Sequence, residues 1–207
     1  MINPLLFLYT GLAAAGIYAV IFLVGTYVTR RNSTIICVPT PTKGQWIYSQ
    51  NDIRRQDRLL DENKAREILK TGEYGYLSMV DAEGYAYGVP LNFVYDGDGA
   101  IYIHCAPEGR KLRTINSHPQ VSFCVVGNTC VVSHKFTTAY ESVVLSCNAT
   151  DNIQEDERRR ALALLLDKYS PADKDTGLIY AEKSFARTAI IRLDIQSVSG
   201  KAKSVGK

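Results

Sequence analysis

From residue 74 to residue 126 the chain carries strand-length apolar runs broken by turn signals, and this stretch constrains the fold more than any other. Residues 74–80 (YGYLSMV) read as a strand, and Asp81-Ala82-Glu83-Gly84 reads as a turn. Residues 85–95 (YAYGVPLNFVY) then alternate, with Val89, Leu91, Phe93 and Tyr95 on one face and Pro90, Asn92 and Val94 on the other. Pro90 cannot donate to a ladder, so it marks an edge, a bulge or a kink. Gly97-Asp98-Gly99 is a turn into the strand AIYIHC at residues 100–105. This Gly-Asp-Gly precedes a strand instead of a helix and lacks a third glycine, which excludes a dinucleotide loop. The loop at residues 106–109 leads into a short helix that Pro119 stops, and VSFCVVG follows as another strand.

The flanks complete the pattern. Asp61 can cap a short helix with Ala65, Ile68 and Leu69 on one side, ended by Gly72. After SHKF comes a long strand-like run at residues 137–153. The clearest helix is EDERRRALALLLDKYSP, with Leu162, Leu165, Leu166 and Tyr169 on one stripe, acids leading and Pro171 ending it. A second short helix is expected over residues 176–185, and a closing strand places Ala189, Ile191, Leu193 and Ile195 on one face. No βαβ repeat occurs, which argues against a doubly wound nucleotide fold. The expected class is mainly β: a small antiparallel barrel with helices packed outside it.

Residues 4–28 contain no charge and would span roughly 37 Å as a helix, enough to cross a bilayer with some tilt. Arg30 and Arg31 follow at once, which would place the C-terminal side in the cytoplasm. This segment reads either as a membrane anchor or as an extension foreign to the natural protein, and residues 32–50 read as a linker. The expected organisation is therefore an apolar segment plus linker over residues 1–51 and a cytoplasmic barrel domain over residues 52–207. A net charge of +3, with no basic stripe, excludes a dedicated nucleic-acid binder. The five cysteines, Cys37, Cys105, Cys124, Cys130 and Cys147, form no CxxC pair and fit no common metal spacing, so inert, reduced, buried thiols are expected.

These residues resemble the pyridoxamine-phosphate-oxidase-like split barrels, most nearly their nitroimidazole-resistance (nitroimidazole reductase) branch. The similar strings are residues 74–126, FTTAYESVV at 136–144 and RTAIIRLDIQSVSGKAK at 187–203. Ala86 stands where that branch usually has proline, His118 where asparagine is common, and Cys147 where glycine is usual. The resemblance implies an antiparallel split barrel that binds flavin mononucleotide (the adenine dinucleotide form being an alternative). It also implies a homodimer with flavin at the subunit interface. The implied activity is reduction of a small electron-poor substrate, such as a nitroimidazole or nitroaromatic, with a reduced nicotinamide dinucleotide as donor.

The candidate site follows from what a flavin requires. Gly109 lets backbone approach an anion, the helix start presents free N–H groups, and Arg110 and Lys111 add cationic donors; the resemblance points to the same pair as phosphate ligands. Solvated charges at a helix start are the plain alternative. The strand Val89, Pro90, Leu91, Asn92 and Phe93 suits the ring edge, with Asn92 as an amide partner or a solvent-facing residue. His104 shares a face with Tyr102 and could bind phosphate, orient a substrate or act as an acid; it is the candidate catalytic residue, supported by a similar histidine in the branch. Tyr140 and Ser142 could complete the pocket from a partner chain. No metal site is expected. A non-catalytic flavin- or heme-binding module, with His104 as axial ligand, is the rival reading.

Overall fold

The computed structural model describes residues 46–49 and 53–205. The expectations for the apolar run at residues 4–28 lie outside the described residues. Among the described residues no helix is long and apolar enough to cross a membrane.

Eight strands form one sheet: β1 (Ile47–Tyr48), β2 (Gly75–Val80), β3 (Ala86–Leu91), β4 (Val94–Tyr95), β5 (Ala100–Cys105), β6 (Gln120–Val132), β7 (Thr137–Thr150) and β8 (Ala189–Lys203). Their order is β3-β2-β6-β7-β8-β5-β4, and every pairing along it is antiparallel; β1 pairs parallel with β8. Strands distant in this order share one core. Leu77 and Met79 of β2 pack in the same cluster as Ile101 and Ile103 of β5, together with Phe123, Val125, Leu145, Ile191 and Leu193. A sheet whose near-terminal strands bury their inner faces together has curled into a barrel, here an antiparallel split barrel.

Among the described residues four α-helices surround it: α1 (Glu62–Thr71), α2 (Arg110–Ser117), α3 (Glu155–Tyr169) and α4 (Lys174–Ser184). Asp61 caps α1 by accepting the Lys64 N–H at 3.2 Å, and Ala65, Ile68 and Leu69 enter the barrel core as their spacing predicts. Leu112 and Ile115 of α2 join the same core. Helix α3 instead packs outside the barrel, where Ala161 and Leu165 meet Val94, Ala100, Tyr102 and Ile190.

The split lies where β3 leaves off. The alternation across residues 89–95 holds, since Val89, Leu91, Phe93 and Tyr95 all face the barrel core and Val94 faces α3. Hydrogen bonding changes partner within that run. Residues 86–91 pair with β2, and residues 94–95 pair with β5. Asn92 and Phe93 form the break, and the N–H of Phe93 donates instead to the Tyr169 hydroxyl at 3.0 Å. Pro90 is exposed on an edge strand, the first of the three placements its missing N–H allows.

Two details correct the sequence reading. Strand β6 does not stop at Gly127 but continues to Val132, because its pairing with β7 resumes after an irregularity between Val126 and Thr129. Cys130 therefore lies exposed on a long hairpin instead of in the core, while Cys147 is buried as expected. Residues 47–48, inside the stretch read as linker, pair with β8, and Trp46 stacks on Tyr95 with ring centroids 5.6 Å apart.

Candidate functional site

The loop from β5 into α2 forms a small concavity of about 110 Å³, lined by Tyr87, Cys105, Ala106, Glu108, Gly109, Arg110, Lys111 and Leu112. Gly109 precedes the helix with φ of 142°, a conformation essentially restricted to glycine. A side chain here would force another backbone path, and open space lies where a Cβ would sit. Arg110 lies over the Tyr87 ring, 4.1 Å from its centroid, and pairs with Asp81 at 3.0 Å. Asp81 is itself fixed by the Tyr85 N–H at 2.8 Å, and that bond is the leading cause holding its carboxyl below the usual range. Burial raises the Cys105 thiol, partly offset by Lys111, so a neutral thiol lines this cradle.

The cradle is smaller than the roughly 300–1,000 Å³ of small-molecule pockets. It suits an anionic headgroup better than a whole cofactor. Strand β3 runs away from it with one edge free of strand pairing among the described residues. Val89 and Leu91 are half-buried against the core, and Pro90 and Asn92 face outward. A free strand edge offers backbone N–H and C=O groups to a flat polar ring edge. Phe93 is placed differently from expectation. Its ring is fully buried, edge-on to Phe123 at 5.1 Å, and its carbonyl accepts from Lys168 Nζ at 2.9 Å, so it anchors the strand break instead of facing a ligand.

His104 and Cys105 are consecutive on β5 and line different spaces. Cys105 borders the cradle, while His104 opens into a second cavity of about 620 Å³ beside Asn92, between α3 and α4. Asn92 donates from Nδ2 to the Glu73 carbonyl at 3.1 Å, and the same carbonyl accepts from the Tyr169 hydroxyl at 2.6 Å. Tyr140 and Ser142 share neither space. Tyr140 sits across from Thr129 and Lys203 in a shallow depression of about 180 Å³, and Ser142 pairs with Val126 and Lys201.

The structure thus joins Gly109, Arg110 and Lys111 in one place and Asn92 and His104 in another, with Val89, Pro90 and Leu91 between. Sequence reading missed Asp81 and Tyr87, which hold Arg110, and Tyr169, which ties the strand break to α3. Only the placement of Tyr169 on the apolar stripe of α3 hinted at its role. Among the described residues, no cluster of three or more histidine, cysteine or acidic side chains could hold a metal ion.

Comparison with known proteins adds family and fold. Residues 61–202 match the model of the family described as pyridoxamine 5'-phosphate oxidase. Among solved structures, the chain is similar to a protein of Bacteroides thetaiotaomicron described as a 5-nitroimidazole antibiotic resistance protein. That match has a TM-score of 0.58 and 19% identity, covering 70% of this chain and 86% of that one. It is also similar to an FAD-binding protein of Mesorhizobium loti, with a TM-score of 0.54 and 23% identity over 71% of this chain and 98% of that one. The FAD and heme binding protein of Mycobacterium smegmatis gives a TM-score of 0.57 and 21% identity over 70% of this chain and 72% of that one. At these identities the likeness establishes the fold. No curated protein matches the chain.

Proposed function

The chain belongs to the pyridoxamine 5'-phosphate oxidase family, and on that premise we propose that it is a flavin-dependent oxidoreductase that reduces a small electron-poor molecule, such as a nitroimidazole or nitroaromatic, with a reduced nicotinamide dinucleotide as donor. The observation that carries this reading is the cradle at Gly109, Arg110 and Lys111, opening beside the free edge of β3.

Flavin mononucleotide fits these residues. Its phosphate would lie at Gly109, where the positive φ brings backbone close, with Arg110 and Lys111 supplying charge-assisted hydrogen bonds. Its ring would lie along Val89, Pro90 and Leu91, with the polar edge on the strand's unpaired backbone. The cofactor, when bound, supplies two-electron chemistry. The protein's part is to hold it, to keep water from the apolar side, and to place the His104 imidazole where it can give a proton to a reduced substrate. The exposed His104 side chain has no hydrogen-bond or ionic partner among the described residues, so its nitrogens are available.

A homodimer completes this reading. The outer face of β2, β6 and β7 carries Tyr76, Ser78, Val80, Ser122, Cys124, Val126, Ser142, Val144 and Ser146, with no charge among them. Tyr76, Val80, Val126 and Val144 are each more than 40% exposed there. An uncharged, partly apolar sheet face of this kind is suited to a second copy, which would bring Tyr140 and Ser142 to the partner's flavin. Oxidation of pyridoxamine phosphate itself is disfavoured. It needs a second phosphate site, and Arg192 is held between two carboxylates, Glu157 at 3.1 Å and Asp194 at 3.0 Å, whereas Arg110 has Asp81 alone and keeps further N–H groups for a phosphate.

The unpartnered His104 beside a cavity favours one rival, a heme-binding module with His104 as axial ligand. A Soret band in the purified protein would establish it. The direct test of the phosphate assignment is the double variant Arg110→Ala/Lys111→Ala. Charged hydrogen bonds of about 1.5–3 kcal/mol each predict weakening of flavin affinity by at least about a hundredfold, with the barrel still folded. Unchanged flavin occupancy would remove the cradle from the site.

A further inference from the structure

The cavity between α3 and α4 is distinct from the flavin cradle and has walls of its own. Leu162, Leu165, Leu166 and Tyr169 of α3 form one side; Gly177, Tyr180 and Ala181 of α4 form the other. At about 620 Å³ it falls in the range of small-molecule sites, and its lining is mainly apolar. The polar side chains at its β-sheet end are Asn92, His104 and Thr188, and the Thr188 hydroxyl is already spent on the Ser184 carbonyl at 3.1 Å. One N–H of the Asn92 amide is used by the Glu73 carbonyl and the other is free to donate, and a neutral imidazole brings one further N–H.

Helix α4 is built as a cover. None of its residues is buried, and Ile179 and Tyr180 are 61% and 70% exposed. It is held at its edges by polar contacts: Lys174 with Asp167 at 2.6 Å and Arg159 with Glu182 at 3.1 Å. Just beyond it, Arg158 donates to the Phe185 and Thr188 carbonyls at 3.0 and 2.6 Å. Gly177 sets its approach, because a Cβ there would meet Leu166 Cδ2 at 2.5 Å. A helix with no fully buried residue that walls an apolar cavity gains burial when a ligand fills that cavity.

The cavity and the cradle adjoin at β5, where consecutive His104 and Cys105 border one each, and they lie apart along β3. Tyr87 borders the cradle and Asn92 borders the cavity, five residues on, which is about 17 Å of extended chain. An extended cofactor with its phosphate at Gly109 and its ring along β3 would end at the cavity mouth.

We propose that the α3–α4 cavity is the substrate chamber, and that it takes a small, flat, mostly apolar molecule carrying a hydrogen-bond-accepting group. The acceptor group lies at Asn92 and His104, and the ring lies between Leu166, Tyr169 and Tyr180. The chamber's role as the seat of the oxidant rests on the flavin reading above; binding itself does not.

The test uses the full chain, with 2-methyl-5-nitroimidazole as probe and binding read by calorimetry or by saturation-transfer NMR. Ala181→Trp and Thr176→Trp each place an indole in the chamber, away from the cradle. The wild type is expected to bind the probe saturably. Each variant is expected to bind it at least tenfold more weakly while keeping wild-type flavin content and cooperative unfolding. Thr176 is exposed, so its variant decides the matter if Ala181→Trp fails to fold. Absence of saturable binding to the wild type, or wild-type affinity in a folded variant, overturns the proposal. A colourless wild type that binds the probe, with binding lost in the tryptophan variants, supports the chamber and removes the flavin reading instead.

Discussion

Removing the single hydroxyl of Tyr169 should loosen the split in the barrel. That oxygen accepts the Phe93 N–H at 3.0 Å and lies 2.6 Å from the Glu73 carbonyl and 2.9 Å from the Phe93 carbonyl. A phenol has one proton, and the shorter contact assigns it to Glu73, which leaves Lys168 Nζ, at 2.9 Å, to serve the Phe93 carbonyl. In Tyr169→Phe the exposed Glu73 carbonyl keeps the Asn92 amide at 3.1 Å and can add water, and the Phe93 carbonyl keeps its lysine. The Phe93 N–H is left in a fully buried residue with no replacement. An unsatisfied buried donor costs about 1–3 kcal/mol. For a chain of this length that corresponds to a fall in unfolding midpoint of roughly 2–12 °C, with about 4–8 °C the central expectation. Urea unfolding of the full chain and of the variant gives the free energy directly, and combining Tyr169→Phe with Lys168→Met gives the coupling at Phe93. A cost under about 0.5 kcal/mol, outside the range for an orphaned donor, would refute the view that Tyr169 satisfies the strand break.

Other expectations follow from the same contacts. Burial lowers Lys168 from 10.5 to about 8, so between these values the unfolded chain holds more protons than the folded one and stability rises with pH. The full shift would correspond to about 3 kcal/mol. The Phe93 carbonyl and the Phe93 ring, 3.8 Å from Nζ, both favour the ammonium, and partial solvation screens it, so a rise of about 1 kcal/mol is expected. Urea midpoints compared across this window should rise less steeply in Lys168→Met, and equal slopes would contradict the assignment. Among the described cysteines, exposed Cys130 should take up a maleimide first under native conditions, and buried Cys147, pushed up to about 12, should react last. Peptide mapping by mass spectrometry reads the order, and early labelling of Cys147 would contradict the burial described.

The sequence carried the barrel's inner faces clearly, because they depend on a period of two that survives any change of partner. Leu91, Phe93 and Tyr95 stay on the core side although hydrogen bonding passes from β2 to β5 between them. For the same reason the break at Asn92 and Phe93 was not legible: the alternation runs straight through it. The end of β6 was misplaced because Gly127 and Asn128 look like a turn, whereas pairing with β7 carries the strand past them. The cradle was legible because Gly109 and the two cations are local in the chain. The α3–α4 cavity was not, since residues 92, 104, 169 and 180 meet only through tertiary packing and α4 has little apolar periodicity. The tie between Asp81 and Arg110 was equally out of reach, spanning 29 residues with no local pattern.

The account turns on whether this barrel holds a flavin that a reduced nicotinamide dinucleotide can reduce. The measurement that tests this most directly is the visible absorption spectrum of the purified full chain, before and after anaerobic addition of the reduced dinucleotide. The account predicts oxidised-flavin bands that bleach on addition and return when a nitroimidazole is supplied. A protein that stays colourless after incubation with flavin mononucleotide, or that shows a Soret band in its place, would contradict it.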